Sequence, residues 1–578
     1  MENRIGEIVK INGNVIRVRV NFPVIQNEIG YVILEEERLK AEVIRIDYNY
    51  VDMQVFENTA GIKIKDKVIF TNELLSVDLG PGLLGGIFDG LGNPLTKIAN
   101  MYGFFLKRGV YLSSLDDESR WEFFPLVKKN DIVMPGSFLG FVNEKIFKHY
   151  IMVPFNFPKN LVVEDIYPGE HNLKEVIAVL KDKDNKTYNC FLKQRWPVKI
   201  PIKAYQEKLK PSKVLPTKIR IIDSLFPIAL GGTYCIPGPF GSGKTVLQQL
   251  ISRHADVDIV VLVACGERAG EVVEVLKTFP QLKDGRTNRP LIDRTVIICN
   301  TSAMPVSARD ASVYIGITIA EYYRQMGLDV LLLADSTSRW AQAMREVSTR
   351  LEEIPGEEAF PAYLESRIAS FYERSGFVKL YNGEYGSVTI GGTVSPAGGN
   401  FEEPVTQATL KVVGAFLGLS RDRANARKYP AIDPLISWSK YDTFLDPKKV
   451  KYVYKLLHSA KDIEDMTKVV GLEGISLVDY ITYLKGEFFD FVYLQQNAFD
   501  VVDEATDSKR QEYVFNFIFS EILDKEFNFS DKDSALSFFQ KLRQLFKTWN
   551  SSVFKSDEFL SLEEEIKNLL KEKYVQSL

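Results

Sequence analysis

The stretch Gly238-Pro239-Phe240-Gly241-Ser242-Gly243-Lys244-Thr245 matches the pattern G-x-x-x-x-G-K-[ST] at every fixed position. Its glycines let the backbone turn so tightly that successive N–H groups point inward and can bind phosphate oxygens at the positive end of the following helix. Lys244 would then reach the β- and γ-phosphates, and the Thr245 hydroxyl would ligate Mg²⁺. This phosphate-binding loop (P-loop), together with Val246 after it, therefore predicts a site for ATP.

The residues on either side have the secondary structure that such a site requires. Residues 232–237 are predicted to form a short buried strand, and the apolar side chains of 246–254 recur at helical spacing. A strand, a glycine-rich loop and a helix in this order form the context in which the pattern is specific. A chance glycine-rich turn is the alternative, and these flanks disfavour it.

The composition excludes several classes of protein. A chain of 578 residues is too long for a single core, so several domains are expected. Its 72 basic and 76 acidic residues give a net charge of −4, without the runs of one sign that bind nucleic acid or a membrane surface. Four cysteines and four histidines, scattered singly, do not suggest a zinc or haem site. No signal peptide or long apolar run is evident, so we expect a soluble, cytoplasmic protein.

The chain before residue 201 is predicted to be rich in strands. Residues 1–75 contain runs in which apolar and polar side chains alternate, and Asn12-Gly13 between two such runs is a hairpin signal, so a β-barrel is expected. A nucleic-acid-binding barrel would need an aromatic stacking platform, which is not evident here. Residues 76–110 are dense in turn formers and are predicted to be a linker onto the core, while 111–200 form a separate β-rich module.

The remainder of the chain changes from alternating strands and helices to helices alone. Within 201–440, near-continuous apolar runs at 258–264, 295–299 and 330–334 indicate the strands of a parallel sheet that is covered on both faces. Within 441–578, aromatic residues recur at helical spacing, which is typical of core packing in a helical domain. The predicted fold is thus multidomain, with a barrel, a β-rich insertion, a P-loop α/β core and a C-terminal helical domain.

Hydrolysis of the γ-phosphate needs a group that acts on water, a metal anchor and positive charge on the transferring phosphoryl group. Glu267 directly follows the next predicted strand, whose end a right-handed crossover brings to the P-loop edge. It is either a general base or a glutamate that stabilises a helix N-terminus. Asp335 ends the run 330–334 and is a candidate to hold Mg²⁺ directly or through water. Arg268 either stabilises transition-state charge or pairs with a surface carboxylate.

Short motifs spread along the chain point to one family. They are Gly-Pro-Phe-Gly-Ser-Gly-Lys-Thr (238–245), Gly-Glu-Arg (266–268), Ala-Asp-Ser-Thr-Ser-Arg-Trp-Ala (334–341), Pro-Ala-Tyr-Leu (361–364), Phe-Tyr-Glu-Arg (371–374), Glu-Pro-Val-Thr-Gln (403–407), Tyr-Pro-Ala-Ile-Asp (429–433) and Gln-Gln-Asn-Ala-Phe-Asp (495–500). Together they resemble the catalytic A subunit of V-type (vacuolar and archaeal-type) ATPases over nearly the whole chain. Residues 111–200 look like the bulge domain of A subunits, which the F-type beta subunit lacks.

The resemblance implies a role for each residue of the predicted phosphate site. By this resemblance, Lys244 and Thr245 hold phosphates and Mg²⁺, Glu267 is the catalytic carboxylate, Arg268 is a phosphate-site cation, and Asp335 is the acid linked to Mg²⁺.

The resemblance also implies a site for the base of the nucleotide. Tyr429 and Phe499 look like aromatic walls around adenine, and Gln496 would lie nearby. Stacking on aromatic rings suits any purine, although by pattern alone each ring is equally a core aromatic.

The resemblance further implies a rotary motor. Chains of this kind would alternate with B subunits in an A3B3 ring, and each B subunit would supply an arginine finger to the site. Central and peripheral stalk subunits would connect the ring to a membrane sector that carries H⁺ or Na⁺, so this chain would lie at the cytoplasmic face of a membrane. The isolated chain is then expected to bind nucleotide but to hydrolyse it poorly.

Two other functions remain open at this point. An RNA-translocating hexameric ATPase of the Rho kind also combines a barrel with a P-loop core, although a near-neutral chain offers little positive charge to track phosphates. A non-catalytic nucleotide-binding ring subunit is the other alternative, and an intact P-loop followed by Glu267 argues against it.

Overall fold

The computed structural model describes residues 4–574 except 36, 104–106, 240 and 303. Its N-terminal part is a closed barrel of antiparallel strands, namely β1 Ile5–Asn12, β2 Val15–Arg19, β3 Glu28–Ile33, β4 Arg38–Asp47, β5 Tyr50–Val55 and β6 Lys67–Leu74. The strands follow the order β1-β2-β5-β4-β3-β6 around the barrel. Ile16 and Val18 are buried inside it while Arg17 between them is not, which is the alternation seen in the sequence. The predicted barrel and its hairpin at Asn12-Gly13 are confirmed.

Between the barrel and the core, the chain forms a β-rich insertion and its connections. The elements are β7 Ser76–Leu79, β8 Ile87–Asp89, α1 Leu95–Tyr102, β9 Arg120–Pro125, β10 Ile132–Val133, β11 Phe138–Glu144, β12 Phe147–Met152, β13 Leu161–Ile166, β14 Gly169–Asn172, β15 Ala178–Lys181, β16 Thr187–Cys190 and β17 Gln194–Pro197. Antiparallel sheets have the orders β10-β13-β15-β16 and β12-β11-β9-β14, and β17 pairs with β7.

The core is an α/β domain around one large sheet. Its elements are β18 Glu207–Leu209, β19 Val214–Leu215, α2 Arg220–Leu225, β20 Ile228–Ala229, β21 Thr233–Pro237, α3 Lys244–His254, β22 Ile259–Glu267, α4 Ala269–Thr278, β23 Thr295–Thr301, α5 Val306–Arg324, β24 Asp329–Asp335, α6 Thr337–Arg350, α7 Leu364–Tyr372, β25 Gly376–Lys379, β26 Tyr385–Val394, α8 Pro404–Val412, β27 Ala415–Phe416, α9 Arg421–Asn425 and β28 Trp438–Ser439.

The sheet of the core has the strand order β28-β27-β21-β26-β24-β22-β23-β8, and the strands from β27 to β8 run parallel. The strands predicted from the three apolar runs are β22, β23 and β24, with small differences at their ends. The edge strand β8 comes from the segment that the sequence marks only as a linker. Its three residues are too few for periodicity to indicate a strand, so the pairing with β23 decides its conformation.

The C-terminal part is helical and consists of α10 Pro447–Val470, α11 Leu477–Phe489, α12 Ser508–Ile518, α13 Lys532–Ser551 and α14 Asp557–Lys571. Asp531 caps the N-terminus of α13, because its carboxylate accepts a hydrogen bond from the Ser534 N–H and the Ser534 hydroxyl accepts one from the Asp531 N–H. Phe538, Phe546 and Trp549 are buried, as core packing requires. No helix within the described residues combines the length and apolar character needed to span a bilayer.

A buried polar chain joins the insertion to helix α5 of the core. His149 Nδ1 lies 2.6 Å from a carboxylate oxygen of Glu144, and its Nε2 lies 2.8 Å from the Tyr322 hydroxyl. The other Glu144 oxygen accepts a 2.6 Å hydrogen bond from the Gly82 N–H. Buried polar groups without partners are destabilising, so these three hydrogen bonds favour the one arrangement of the insertion against α5 in which all of them form.

Candidate nucleotide-binding and catalytic site

The P-loop connects β21 to α3 and is shaped by its glycines. Gly241 and Gly243 have φ angles of 79° and 89°, in the left-handed region that favours glycine. The Ser242 hydroxyl donates a 2.7 Å hydrogen bond to the Pro239 carbonyl, which closes the loop on itself. The first turn of an α-helix directs its N–H groups outward at the positive end of the helix dipole, where they can donate to an anion. Phe240 lies outside the described residues.

Lys244 and Thr245 occupy the first turn of α3. Lys244 Nζ donates to the carbonyl oxygens of Gly238 at 2.6 Å and Pro239 at 3.3 Å, so its ammonium group lies over the loop. A Cβ atom added to Gly238 would come within 2.7 Å of the Leu419 Cβ, so glycine permits this close approach. The two hydrogen bonds from Lys244 Nζ thus hold its ammonium group beside the loop that would bind the phosphates.

Glu267 is the last residue of β22 and follows a bulge in that strand. In the pairing with β23, Cys265 lies opposite Asn300 and Glu267 lies opposite Thr301, so Gly266 is an additional residue in the register. Its φ of 76° is in the region that favours glycine. A bulge bends the strand and re-aims the side chain that follows, and here that side chain is the Glu267 carboxylate.

Thr245, Glu267 and Asp335 line one small cavity of about 30 Å³. Asp335 ends β24 in register with Ala264 of β22, and its Oδ1 accepts a 2.5 Å hydrogen bond from Thr393 Oγ1. Elements that are far apart in sequence thus bring a hydroxyl and two carboxylates together at the carboxyl edge of a parallel sheet, where α/β proteins bind ligands. A hydroxyl and a carboxylate oxygen suit Mg²⁺, and a second carboxylate can act on water.

A larger cavity of about 640 Å³ also borders the P-loop, and this volume is typical of a small-molecule site. It is lined by Gly241, Ser242, Gly243 and Val246, and on another side by Tyr429, Gln496 and Phe499. Tyr429 is 45 % exposed and Phe499 is 95 % exposed, which is unusual for aromatic residues. Exposed rings beside a phosphate loop offer stacking surfaces for a base.

Gln496 has a different part in this cavity from the two aromatic residues. Its Oε1 accepts a 2.9 Å hydrogen bond from the Arg220 N–H, and its Nε2 donates to the Lys218 carbonyl at 3.0 Å. Its backbone N–H donates to the Tyr429 carbonyl at 2.9 Å. The side chain is 8 % exposed, so it holds the wall of the cavity together through bonds within the protein.

Arg268 directly follows Glu267 in the chain. It is exposed and lies immediately before α4, at the N-cap position of that helix. Among the described residues that line the two cavities, Arg268 is absent.

Sequence reasoning missed two cations that line the larger cavity, Arg427 and Lys547. Arg427 follows α9, and Lys547 lies on an exposed face of α13. Lys547 is about three hundred residues from the P-loop, and the pattern of α13 indicates only which of its faces is buried. Only folding brings its ammonium group to the nucleotide cavity.

The cysteine thiols near the sheet edge are chemically inert. Burial raises the pKa of Cys265 and Cys299 to about 12, so both remain protonated near neutral pH. Both are free and buried.

The parallel sheet and the P-loop are those of a P-loop nucleotide-binding protein, and the family models that match the chain are those of the ATP synthase alpha/beta family. The model for the nucleotide-binding domain of that family matches residues 218–439, and its β-barrel and barrel-sandwich domain models match 8–72 and 112–199. The C-terminal domain of V and A type ATP synthases matches 447–526.

The chain belongs to the V-type ATP synthase alpha chains. It is 57 % identical over 569 residues to the V-type ATP synthase alpha chain of Treponema denticola, covering 98 % of this chain and 96 % of the relative. It is also 57 % identical over 574 residues to that of Borreliella burgdorferi, covering 99 % and 100 %. These relationships confirm the resemblance and disfavour both alternative functions.

A solved structure shares the fold at low identity. The assembled ATPase EscN of the enteropathogenic E. coli type III secretion system aligns with a TM-score of 0.62 and 21 % identity, over 89 % of this chain and 100 % of that chain. This likeness concerns the fold alone.

Proposed function

We propose that this chain binds ATP at the P-loop and breaks or forms the γ-phosphate bond, with Glu267 as the carboxylate that acts on water. The chain is the catalytic subunit of a V-type ATPase, an enzyme that hydrolyses or synthesises ATP and translocates ions. It works within a multisubunit, membrane-associated complex. The observation that supports the proposed roles best is the cavity that Thr245, Glu267 and Asp335 line together.

The P-loop and Lys244 are proposed to hold the β- and γ-phosphates. Inward N–H groups of the loop and of the first turn of α3 would donate to the phosphate oxygens. The Lys244 ammonium now donates to the carbonyls of Gly238 and Pro239. Phosphate oxygens are anionic whereas carbonyl oxygens are neutral, so the Lys244 ammonium would turn to the phosphates, with which it forms an ion pair as well as hydrogen bonds.

Thr245 and Asp335 are proposed to hold Mg²⁺. Within the part of the chain that the structure describes, no cluster of three or more His, Cys, Asp or Glu side chains could hold a metal. A hydroxyl and a carboxylate, completed by phosphate oxygens and water, match the preference of Mg²⁺ for substrate-bridged sites. Bound there, Mg²⁺ would neutralise charge on the β- and γ-phosphate oxygens.

Glu267 is proposed to orient the attacking water and to accept its proton while the γ-phosphoryl group is transferred. Charge on that group would be stabilised by Lys244, by Arg268, and by an arginine from a neighbouring B subunit. The exposed position of Arg268 supports a contact with nucleotide or neighbour that forms only on assembly.

We infer that the chain alternates with B subunits in an A3B3 ring. Central and peripheral stalk subunits would connect the ring to a membrane sector that carries H⁺ or Na⁺, and the chain would lie at the cytoplasmic face of the membrane. The net charge of −4 is small. It supports binding to partner subunits through specific surfaces, and it does not favour binding to nucleic acid.

The isolated chain is expected to bind ATP but to turn it over about 10³-fold more slowly than the assembled ring, because a trans arginine finger contributes about 10³–10⁵ to the rate in related phosphoryl transfers. The measurement compares ATP turnover and nucleotide affinity for the purified chain with and without stoichiometric B subunit. Turnover by the monomer at the rate of the ring, in preparations free of other ATPases, would contradict the proposed assembly.

Replacing Phe499 by Ala is expected to weaken nucleotide binding about 5- to 30-fold, because stacking on an aromatic ring contributes about 1–2 kcal/mol per base. Calorimetric titration with ATP and ADP measures the change. Tyr48, which is 97 % exposed on the barrel, provides a matched control as Tyr48→Ala and should leave the affinity unchanged. Equal affinities for both variants would exclude Phe499 from the adenine site.

A further inference from the structure

Arg309 lies in the first turn of α5, where a cation is unfavourably placed. It is 8 % exposed, and its Nε finds no hydrogen-bond acceptor among the described residues. The positive end of the helix dipole also opposes a cation at this point of the helix. The Nε–H group thus lacks a hydrogen bond at a position that is almost closed to solvent, which is destabilising.

The guanidinium packs directly against the bulge that precedes Glu267. A Cβ atom added to Gly266 would lie 2.6 Å from Arg309 Nε, 2.8 Å from its Cδ and 3.0 Å from its Cζ. The Arg309 carbonyl also accepts a 3.5 Å hydrogen bond from the Cys265 thiol. Arg309 therefore contacts both residues that lead into Glu267, once through its side chain and once through its backbone.

We propose that Arg309 is a positioning residue for Glu267. Its planar guanidinium supports the Gly266 bulge and so determines the direction in which the Glu267 carboxylate leaves β22. A flat, rigid group suits this task better than a flexible chain, because it lies against the exposed backbone of a glycine in the space that a Cβ would otherwise fill. The inference rests on the proposed role of Glu267 and adds the group that holds it in place.

If Arg309 positions Glu267, its replacement should lower the rate of ATP turnover without weakening ATP binding. A displacement of about 1 Å at a reacting group can cost about 10²-fold in rate. In the assembled complex, Arg309→Gln is thus expected to lower kcat about 10- to 100-fold, while KM and the Kd for ATP stay within about 3-fold. Arg309→Lys should be impaired to a similar extent, because lysine keeps the charge but not the plane.

Arg324 provides a matched control at the other end of α5. It is also buried, and its guanidinium donates to the Ile202 carbonyl at 2.7 Å, remote from β22. Arg324→Gln removes a buried charge from the same helix, so it should lower the melting temperature and leave kcat of the folded complex unchanged.

A double-substitution cycle tests whether Arg309 acts through Gly266. Gly266→Ala should lower kcat by itself, because the new Cβ meets the guanidinium at a position that already favours glycine. In the Arg309→Gln background the same change should cost less than it does in the wild type, because the clash with the guanidinium is gone and only the strain of the left-handed backbone remains. Independent, multiplicative losses would overturn the inference.

Measurements on single variants also test whether Arg309 positions Glu267. Normal kcat in a folded Arg309→Gln or Arg309→Lys complex would overturn the positioning role, and so would a parallel loss of ATP affinity, which would place Arg309 on the nucleotide. Glu267→Gln distinguishes a failure of the positioning role of Arg309 from a failure of the catalytic role of Glu267. If Glu267→Gln abolishes turnover and Arg309→Gln does not reduce it, only the positioning role fails; if Glu267→Gln turns over normally, the proposed function itself fails.

Discussion

Replacing Glu267 by Gln in the assembled complex is expected to lower ATP turnover by about 10³-fold, within the range of about 10²–10⁴ that general acid–base groups contribute. The substitution keeps the size of the side chain and removes its negative charge and its basicity. Glu267 lines the same cavity as Thr245 and Asp335, so the substitution would remove the carboxylate that orients the attacking water and accepts its proton. Nucleotide affinity should stay within about 3-fold, since the P-loop contacts are unchanged.

Steady-state turnover and equilibrium ATP binding by the same preparation measure both quantities. Glu274, an exposed residue of α4, provides the control as Glu274→Gln, which makes the same chemical change outside the cavity and should be silent. Undiminished turnover by Glu267→Gln would show that hydrolysis occurs elsewhere and that this P-loop serves structure or regulation.

Replacing Lys244 by Gln is expected to reduce both binding and turnover. Loss of a charge-assisted contact to phosphate costs about 1.5–3 kcal/mol, so the Kd for ATP should rise about 10- to 150-fold. Turnover should fall further than affinity, because the ammonium also stabilises charge on the transferring phosphoryl group. The two variants thus differ in kind, since Glu267→Gln spares binding and Lys244→Gln does not.

Nucleotide titration and turnover at saturating ATP separate the two effects of Lys244→Gln. Lys277→Gln, an exposed change on α4, removes the same charge away from the loop and should affect neither quantity. A circular-dichroism spectrum and a melting curve check that the loop remains folded without the bonds from Nζ to Gly238 and Pro239. Wild-type ATP affinity in a folded Lys244→Gln variant would contradict a phosphate contact.

Several parts of the fold were predictable because their signals are local. The strand, loop and helix around 238–245 are specified by glycines and by the apolar residues beside them. The runs at 258–264 and 330–334 are apolar on both faces and became the parallel strands β22 and β24. The same reasoning selected Thr245, Glu267 and Asp335 as candidates, because each follows or ends such an element.

Other parts depended on contacts that no local pattern records. The predicted linker contributes β8 to the core sheet, and Gln496, which lines the cavity with Tyr429 and Phe499, accepts a hydrogen bond from the Arg220 N–H. Lys547 reaches the nucleotide cavity from a distant helix, and Arg309 reaches Gly266 from α5.

The amino-acid sequence by itself determined the class of the fold, the P-loop and the candidate carboxylates, because glycine conformation, apolar periodicity and helix capping act between near neighbours. Only the tertiary structure decided which side chains share a cavity and which groups support them. These contacts join segments that are tens to hundreds of residues apart. Their contribution to stability comes from packing and hydrogen bonds that form only once the chain has folded.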